Sequence, residues 1–101
     1  MMINAMRPIH PGEILREEFL LPLGMSAHGL AMAIRVPAPR IYDLVREKRS
    51  LSPDTALRLA RYFGTTPEFW MNLQSAFDLR SARIQKMGDI EREVRPRDMA
   101  A

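Results

Sequence analysis

Cysteine is absent from this 101-residue chain, which removes disulfides, thiolate nucleophiles and cysteine-ligated zinc together. The absence also fits a reducing compartment, so a cytoplasmic location is the expectation. Long apolar runs are missing too: nothing approaches the roughly 18 uninterrupted apolar residues that mark a membrane span. The opening MMINAMRPIH has one arginine and no apolar stretch of the kind a secretory signal needs. There is no glycine-rich phosphate loop. Histidine is scarce, and His10, Glu13 and His28 form the one imidazole–carboxylate grouping. His10 precedes its helix and reads as a cap on the first turn, with Glu13 answering the turn's amides. Ser26, Ser50 and Ser52 have cap or loop explanations and no base at a suitable offset. The chain is therefore expected not to be an enzyme, and to use no metal, no cofactor and no small-molecule substrate.

What is present is ordinary globular material, 47% hydrophobic and 27% charged, enough for one domain with one core. The formal charge of +3 is small, but its distribution is uneven. Between Ser26 and Leu51, five basic residues (Arg35, Arg40, Arg46, Lys48 and Arg49) face only Asp43 and Glu47, and the rest of the chain balances. A polyanion site is expected there; the alternative is a solvated helix face.

The organisation reads as all-α, with five helices separated by proline and glycine and no strand-length alternation. A first helix starts near Pro11 and ends before Pro22, with Ile14, Leu15 and Phe19 inward. Gly24 allows a turn, and Ser26 caps a short helix over Ala27–Ile34. In Val36-Pro37-Ala38-Pro39 each residue before a proline is pushed towards extended geometry. Ala38 is thus the expected cap of a third helix from Pro39 to about Glu47, leaving the Arg40 and Ile41 amides free to meet a phosphate. Ser52-Pro53-Asp54 and Thr66-Pro67-Glu68 each combine a hydroxyl cap, a first-turn proline and a carboxylate against the helix dipole. Ala56, Ala60 and Phe63 line one face of the fourth helix, which Gly64 ends. Composition then suggests an arm over 1–9, a domain over 10–85 whose last helix covers 67–85, and a mobile or partner-ordered tail over 86–101.

Within this bundle, Ala31 is the small residue that lets a following helix cross closely. Leu30, Ile34, Val36, Ile41 and Leu44 stand at the offsets that pin the two helices together. These six positions have the spacing of a helix-turn-helix unit, over about 26–46, centred on the most basic segment; the alternative is an ordinary αα corner. With Ile41, Leu44 and Val45 inward, the outward face of the second helix presents Pro39, Arg40, Tyr42, Asp43 and Arg46, with Pro37 just before it. The guanidinium fork of Arg40 matches the O6 and N7 of guanine. Tyr42 suits a phosphate or a thymine methyl, and Asp43 a cytosine amine or the orientation of Arg40 or Arg46. Lys48 and Arg49 in the next loop, and His28 at the start of the preceding helix, suit backbone phosphate.

Two stretches, HPGEILREEFLLPLGMS and DTALRLARYFGTTPEFWMNLQSAFDLR, resemble the HigA-type (VapI-like) antitoxins, a branch of the lambda-repressor-like (XRE) helix-turn-helix family. The resemblance spans roughly His10 to Ile84. It implies a lambda-repressor-like fold and a dimer that binds double-stranded DNA at a palindromic operator and represses its own operon. It also implies a cognate HigB-type ribonuclease toxin as partner. Two departures stand out. Arg35 occupies the turn position where the family usually has glycine, and Pro37, Pro39, Tyr42 and Asp43 stand where small hydroxyl or basic residues are common. The operator sequence therefore does not carry over.

On the last helix, Phe69, Trp70, Leu73 and Phe77 form an aromatic stripe. Phe69, Leu73 and Phe77 are expected in the core, while Trp70 is left open between core and a two-fold dimer seam. A solitary regulator without a toxin, and a protein-binding module that never meets DNA, are the alternatives to the antitoxin reading.

Overall fold

A computed structural model of the protein describes residues 7–98. The first six residues of the arm, the choice among Met1, Met2 and Met6 as start, and the last three residues of the tail lie outside them.

The first helical rod, α1, is built from Pro11–Ile14, Leu15–Leu20 and Leu21–Leu23 in unbroken succession. His10 caps it as expected, its Nδ1 accepting from the Gly12 amide at 2.8 Å. Glu13 does not answer the amides; it pairs with Arg7 at 2.8 Å. The expected stop before Pro22 is also not observed. The middle of the rod is π-helical, with the Leu21 amide reaching back to the Arg16 carbonyl. A proline ring collides with the carbonyl four residues back in an α-helix, and the wider π turn makes room for it.

Ser26 caps α2 (Ala27–Ile34), its hydroxyl accepting from the Gly29 amide at 2.9 Å. Helix α3 is Ala38–Val45, so its cap is Pro37 rather than Ala38, and it stops two residues short of Glu47. Glu47 itself is left-handed (φ 63°), and the Lys48 amide closes on the Asp43 carbonyl at 2.8 Å. The steric bias against helical geometry at Ala38, before Pro39, is overridden by the burial of Ile41 and Leu44 in the two turns that follow. Helix α4 is Pro53–Phe63, capped by Ser52 and ended by left-handed Gly64. Helix α5 is Pro67–Glu93, capped by Thr66. Among the described residues there is no strand, and no helix is long and apolar enough to cross a membrane.

The core gathers Leu15, Leu30, Ile41, Leu44, Leu59 and Trp70 from all five helices. Trp70, left open from sequence, is its largest member and fully buried, with its indole N–H donating to the Thr65 hydroxyl at 2.7 Å. Phe69, expected inside, is 39% exposed and lies edge-on to Trp70, with ring centres 5.0 Å apart. Leu73 and Phe77 are half-buried. One helical position separates Phe69 from Trp70, about 100° of rotation, and the rings of Phe19 and Phe63 select the Trp70 side.

Helix α5 does not end near residue 85 but continues to Glu93. No proline interrupts Pro67 to Pro96, and Arg92 pairs with Asp89 one turn away. At about 40 Å the helix outruns the body, which explains overall dimensions of 56 × 29 × 25 Å.

Candidate nucleic-acid interface

The six spaced positions, Leu30, Ala31, Ile34, Val36, Ile41 and Leu44, are all buried, so α2 and α3 share one apolar seam. The turn between them is left-handed at Arg35 (φ 60°). It closes through the Val36 amide on the Ala31 carbonyl at 3.0 Å and the Arg35 amide on the Met32 carbonyl at 3.3 Å. A non-glycine residue there costs on the order of 1–2 kcal/mol. Part of the compensation comes from α4: a terminal nitrogen of Arg58 donates to the Ile34 carbonyl at 3.0 Å, and a longer contact reaches the Arg35 carbonyl at 3.5 Å. An arginine on another helix thus caps the exposed end of α2.

Helix α3 meets α1 at very close range. A Cβ on Gly12 would lie 1.8 Å from the Leu44 carbonyl oxygen, so only glycine permits this approach. Arg16 on α1 then donates to the Val45 carbonyl and contacts the Glu47 carboxylate at 3.4 Å, satisfying the end of α3. The recognition-type helix is held at its tip by the turn and at its tail by α1.

Its outward face is occupied much as the periodicity dictates. Pro37, Pro39, Tyr42 and Arg46 are exposed, and Arg40 and Asp43 are partly so. Arg46 stacks over the Tyr42 ring, 5.6 Å from its centre, a cation–π arrangement that stiffens both. Asp43 pairs with Arg49 at 3.8 Å, rather than with Arg40 or Arg46 as expected. Arg40 pairs instead with Asp54 on α4, at 3.1 Å. The Arg40 amide is not free either: it donates to the Pro37 carbonyl at 3.0 Å, because the helix begins one residue early. Lys48 is exposed and has no ion-pair partner among the described residues; His28 is exposed on the first turn of α2.

The loop bearing Lys48 and Arg49 is anchored from behind. The amide of buried Leu51 donates to the Gln74 side-chain carbonyl at 2.7 Å, and the Gln74 amide nitrogen donates to Asp78 at 2.9 Å. His10 lies under the same loop with its ring edge-on to Phe77, 4.8 Å between centres. Burial holds its imidazole below the ordinary value; Glu47, a hydrogen bond with the Arg49 backbone and Asp78 oppose that shift, and Arg16 adds to it. Gly12, Gln74 and Asp54 were not singled out from sequence as site-building residues. The glycine in HPGEIL and the glutamine in WMNLQ are plain in the sequence, but Gly12 meets Leu44 on α3 and Gln74 meets Leu51 in a loop 23 residues away.

The helix-turn-helix family model matches residues 15–70, more than half of the chain. Virulence-associated protein I of Dichelobacter nodosus is 55% identical over 83 residues, 82% of this chain and 77% of that protein. Antitoxin HigA-1 of Vibrio cholerae is 40% identical over 77 residues, 76% of this chain and 72% of that protein. The chain belongs to the HigA-type branch of the helix-turn-helix family. The solved structure described as Pseudomonas aeruginosa antitoxin HigA with the higBA promoter matches this HigA-type chain with a TM-score of 0.87 and 52% identity, covering 89% of this chain and 98% of that one. The family is one of DNA-binding proteins, not of enzymes. In this HigA-type chain the turn of the unit is left-handed at Arg35.

Proposed function

We propose that this HigA-type chain is a cytoplasmic, dimeric repressor of its own operon that also neutralises a cognate HigB-type ribonuclease toxin. The observation that carries the DNA-reading role is the buried seam of α2 and α3, which leaves Arg40, Tyr42 and Arg46 together on one exposed face beside Lys48. In this reading α3 enters the major groove. Arg40 reads guanine, while Tyr42 and Asp43 contact neighbouring base edges or orient the basic groups. Pro37 and Pro39 shape the tip, and Arg46, Lys48, Arg49 and His28 bind backbone phosphate. A two-fold dimer places two such faces on half-sites about 34–36 Å apart, so the operator is palindromic. The relative solved with its promoter supports the DNA-binding part, and the antitoxin names of the relatives support the toxin-binding part.

Gel shifts across a salt series test the reading. Specific binding with a steep negative salt slope is expected, and a flat, weak response refutes it. Arg40→Ala should cost about 1–3 kcal/mol on operator DNA and relax specificity, whereas Lys48→Ala should weaken all duplexes alike. Equal losses on operator and scrambled DNA for Arg40→Ala overturn the base-reading role. Co-purification of a small basic ribonuclease encoded beside this chain supports the antitoxin role, and an isolated gene refutes it.

A further inference from the structure

Resting on the proposed reading of Arg40, we infer that Asp54 on α4 is a positioning residue for DNA discrimination. One carboxylate oxygen of Asp54 accepts from Arg40 at 3.1 Å and from Arg58 at 3.0 Å. Arg58 is in turn fixed to the Ile34 carbonyl at 3.0 Å. A continuous polar chain therefore runs from the end of α2, through Arg58 and Asp54, to the tip of α3. Asp54 sits on the first turn of α4, whose start is set by the Ser52 cap and Pro53. Its location is thus decided before any DNA arrives.

Two consequences follow from this placement. An unrestrained arginine must lose rotamer freedom on binding, and an arginine already tethered at one nitrogen loses less. Its remaining donors are also aimed in one direction, which favours one base geometry over general phosphate attraction. The second consequence is electrostatic. Arg40, Asp54 and Arg58 together carry a single net positive charge, so the carboxylate damps the indiscriminate pull of the two arginines on any phosphate. Asp54 makes Arg40 a reader rather than an anchor.

The test uses the full-length protein and two probes: a duplex enriched by the wild type from a randomised pool, and a scrambled duplex of the same composition. Asp54→Asn keeps the side-chain shape and removes the charge; at this exposed position the variant should fold, and its melting curve verifies that. Binding to the scrambled duplex should tighten and show a steeper salt slope. The ratio of selected to scrambled affinity should fall about ten-fold, with relaxed preference at one base position per half-site. In an Arg40→Ala background the same substitution should leave the ratio unchanged, a coupling that a role confined to stability does not produce.

An equal loss of ratio in both backgrounds overturns the inference, as does an unchanged ratio for Asp54→Asn when Arg40→Ala alone collapses it. A rise in the ratio also overturns it, since Asp54 would then compete with DNA for Arg40. If Arg40→Ala itself leaves the ratio intact, the failure lies in the base-reading role, and the inference falls with it.

Discussion

In α2 and α3 the residues at each turn are buried against another helix, whereas α5 beyond Phe77 turns Leu79, Ile84, Met87 and Ile90 towards solvent. Both regions are helical, for different reasons. Eight residues is too short for a stable helix in water, since even favourable sequences need about 12–15, so α2 and α3 exist because the seam and their neighbours hold them. The outer part of α5 has almost no tertiary support; it continues a helix nucleated by the Thr66 cap and anchored by Trp70, where each added residue costs little. The geometry of the reading face is therefore a property of the whole fold, while the outer part of α5 is a local extension whose apolar residues stay available.

The comparison can be broken most forcefully at Trp70. Trp70→Ala should destabilise by about 3–5 kcal/mol in a denaturant titration, whereas Ile84→Ala, at 63% exposed, should change monomer stability by no more than about 0.5 kcal/mol. Similar losses at both sites would mean that the outer helix is packed in solution. Gly12→Ala comes next: the added methyl meets the Leu44 carbonyl, so a loss of about 1–3 kcal/mol is expected, with weaker operator binding because α3 is displaced. A silent Gly12→Ala would show that α3 does not depend on α1.

Arg35→Gly tests the turn in the opposite direction. Relief of the left-handed strain, less the extra freedom glycine gives the unfolded chain, should raise stability by about 0.5–1 kcal/mol in the same titration. A loss would mean that the Arg35 side chain contributes more than its backbone costs. The smallest effect concerns His10, whose folded imidazole is held below its ordinary 6.5 by burial. The unfolded chain then binds that proton more readily than the folded protein. Stability is complete above pH 6.5 and falls as pH drops through that value towards the lower folded one. Urea midpoints between about pH 7.5 and 5.5 should show this slope, and His10→Gln should flatten it.

Much of this architecture is legible in the sequence. Ser26, Ser52 and Thr66 cap helices because a hydroxyl needs only the amide three residues on, and all three accept from that amide. Gly64 ends α4 in the left-handed region as its position suggests, and Gly24, expected only to allow a turn, ends α1 the same way because the rod runs on past Pro22. Glu47 does the same with no local signal, because its conformation is fixed by the end of α3 and by Arg16 on α1. The six seam positions followed from helical spacing alone. The exchange of Phe69 for Trp70 did not: adjacent aromatic residues look equivalent along one helix until the rings of Phe19 and Phe63 decide between them.

By itself the sequence determined the all-α class, four of the five helix starts and two of the stops, the helix-turn-helix frame and the basic stretch laid over it. These depend on interactions within a turn or two of chain, which a linear pattern records. Only the tertiary structure decided that Gly12 admits α3, that Gln74 holds the loop behind Lys48, and that Arg40 is tethered to Asp54. Those contacts join residues 14 positions apart for Arg40 and Asp54, and 23 apart for Leu51 and Gln74. Their partners are chosen by how the helices cross, and crossing is set by the packed core as a whole.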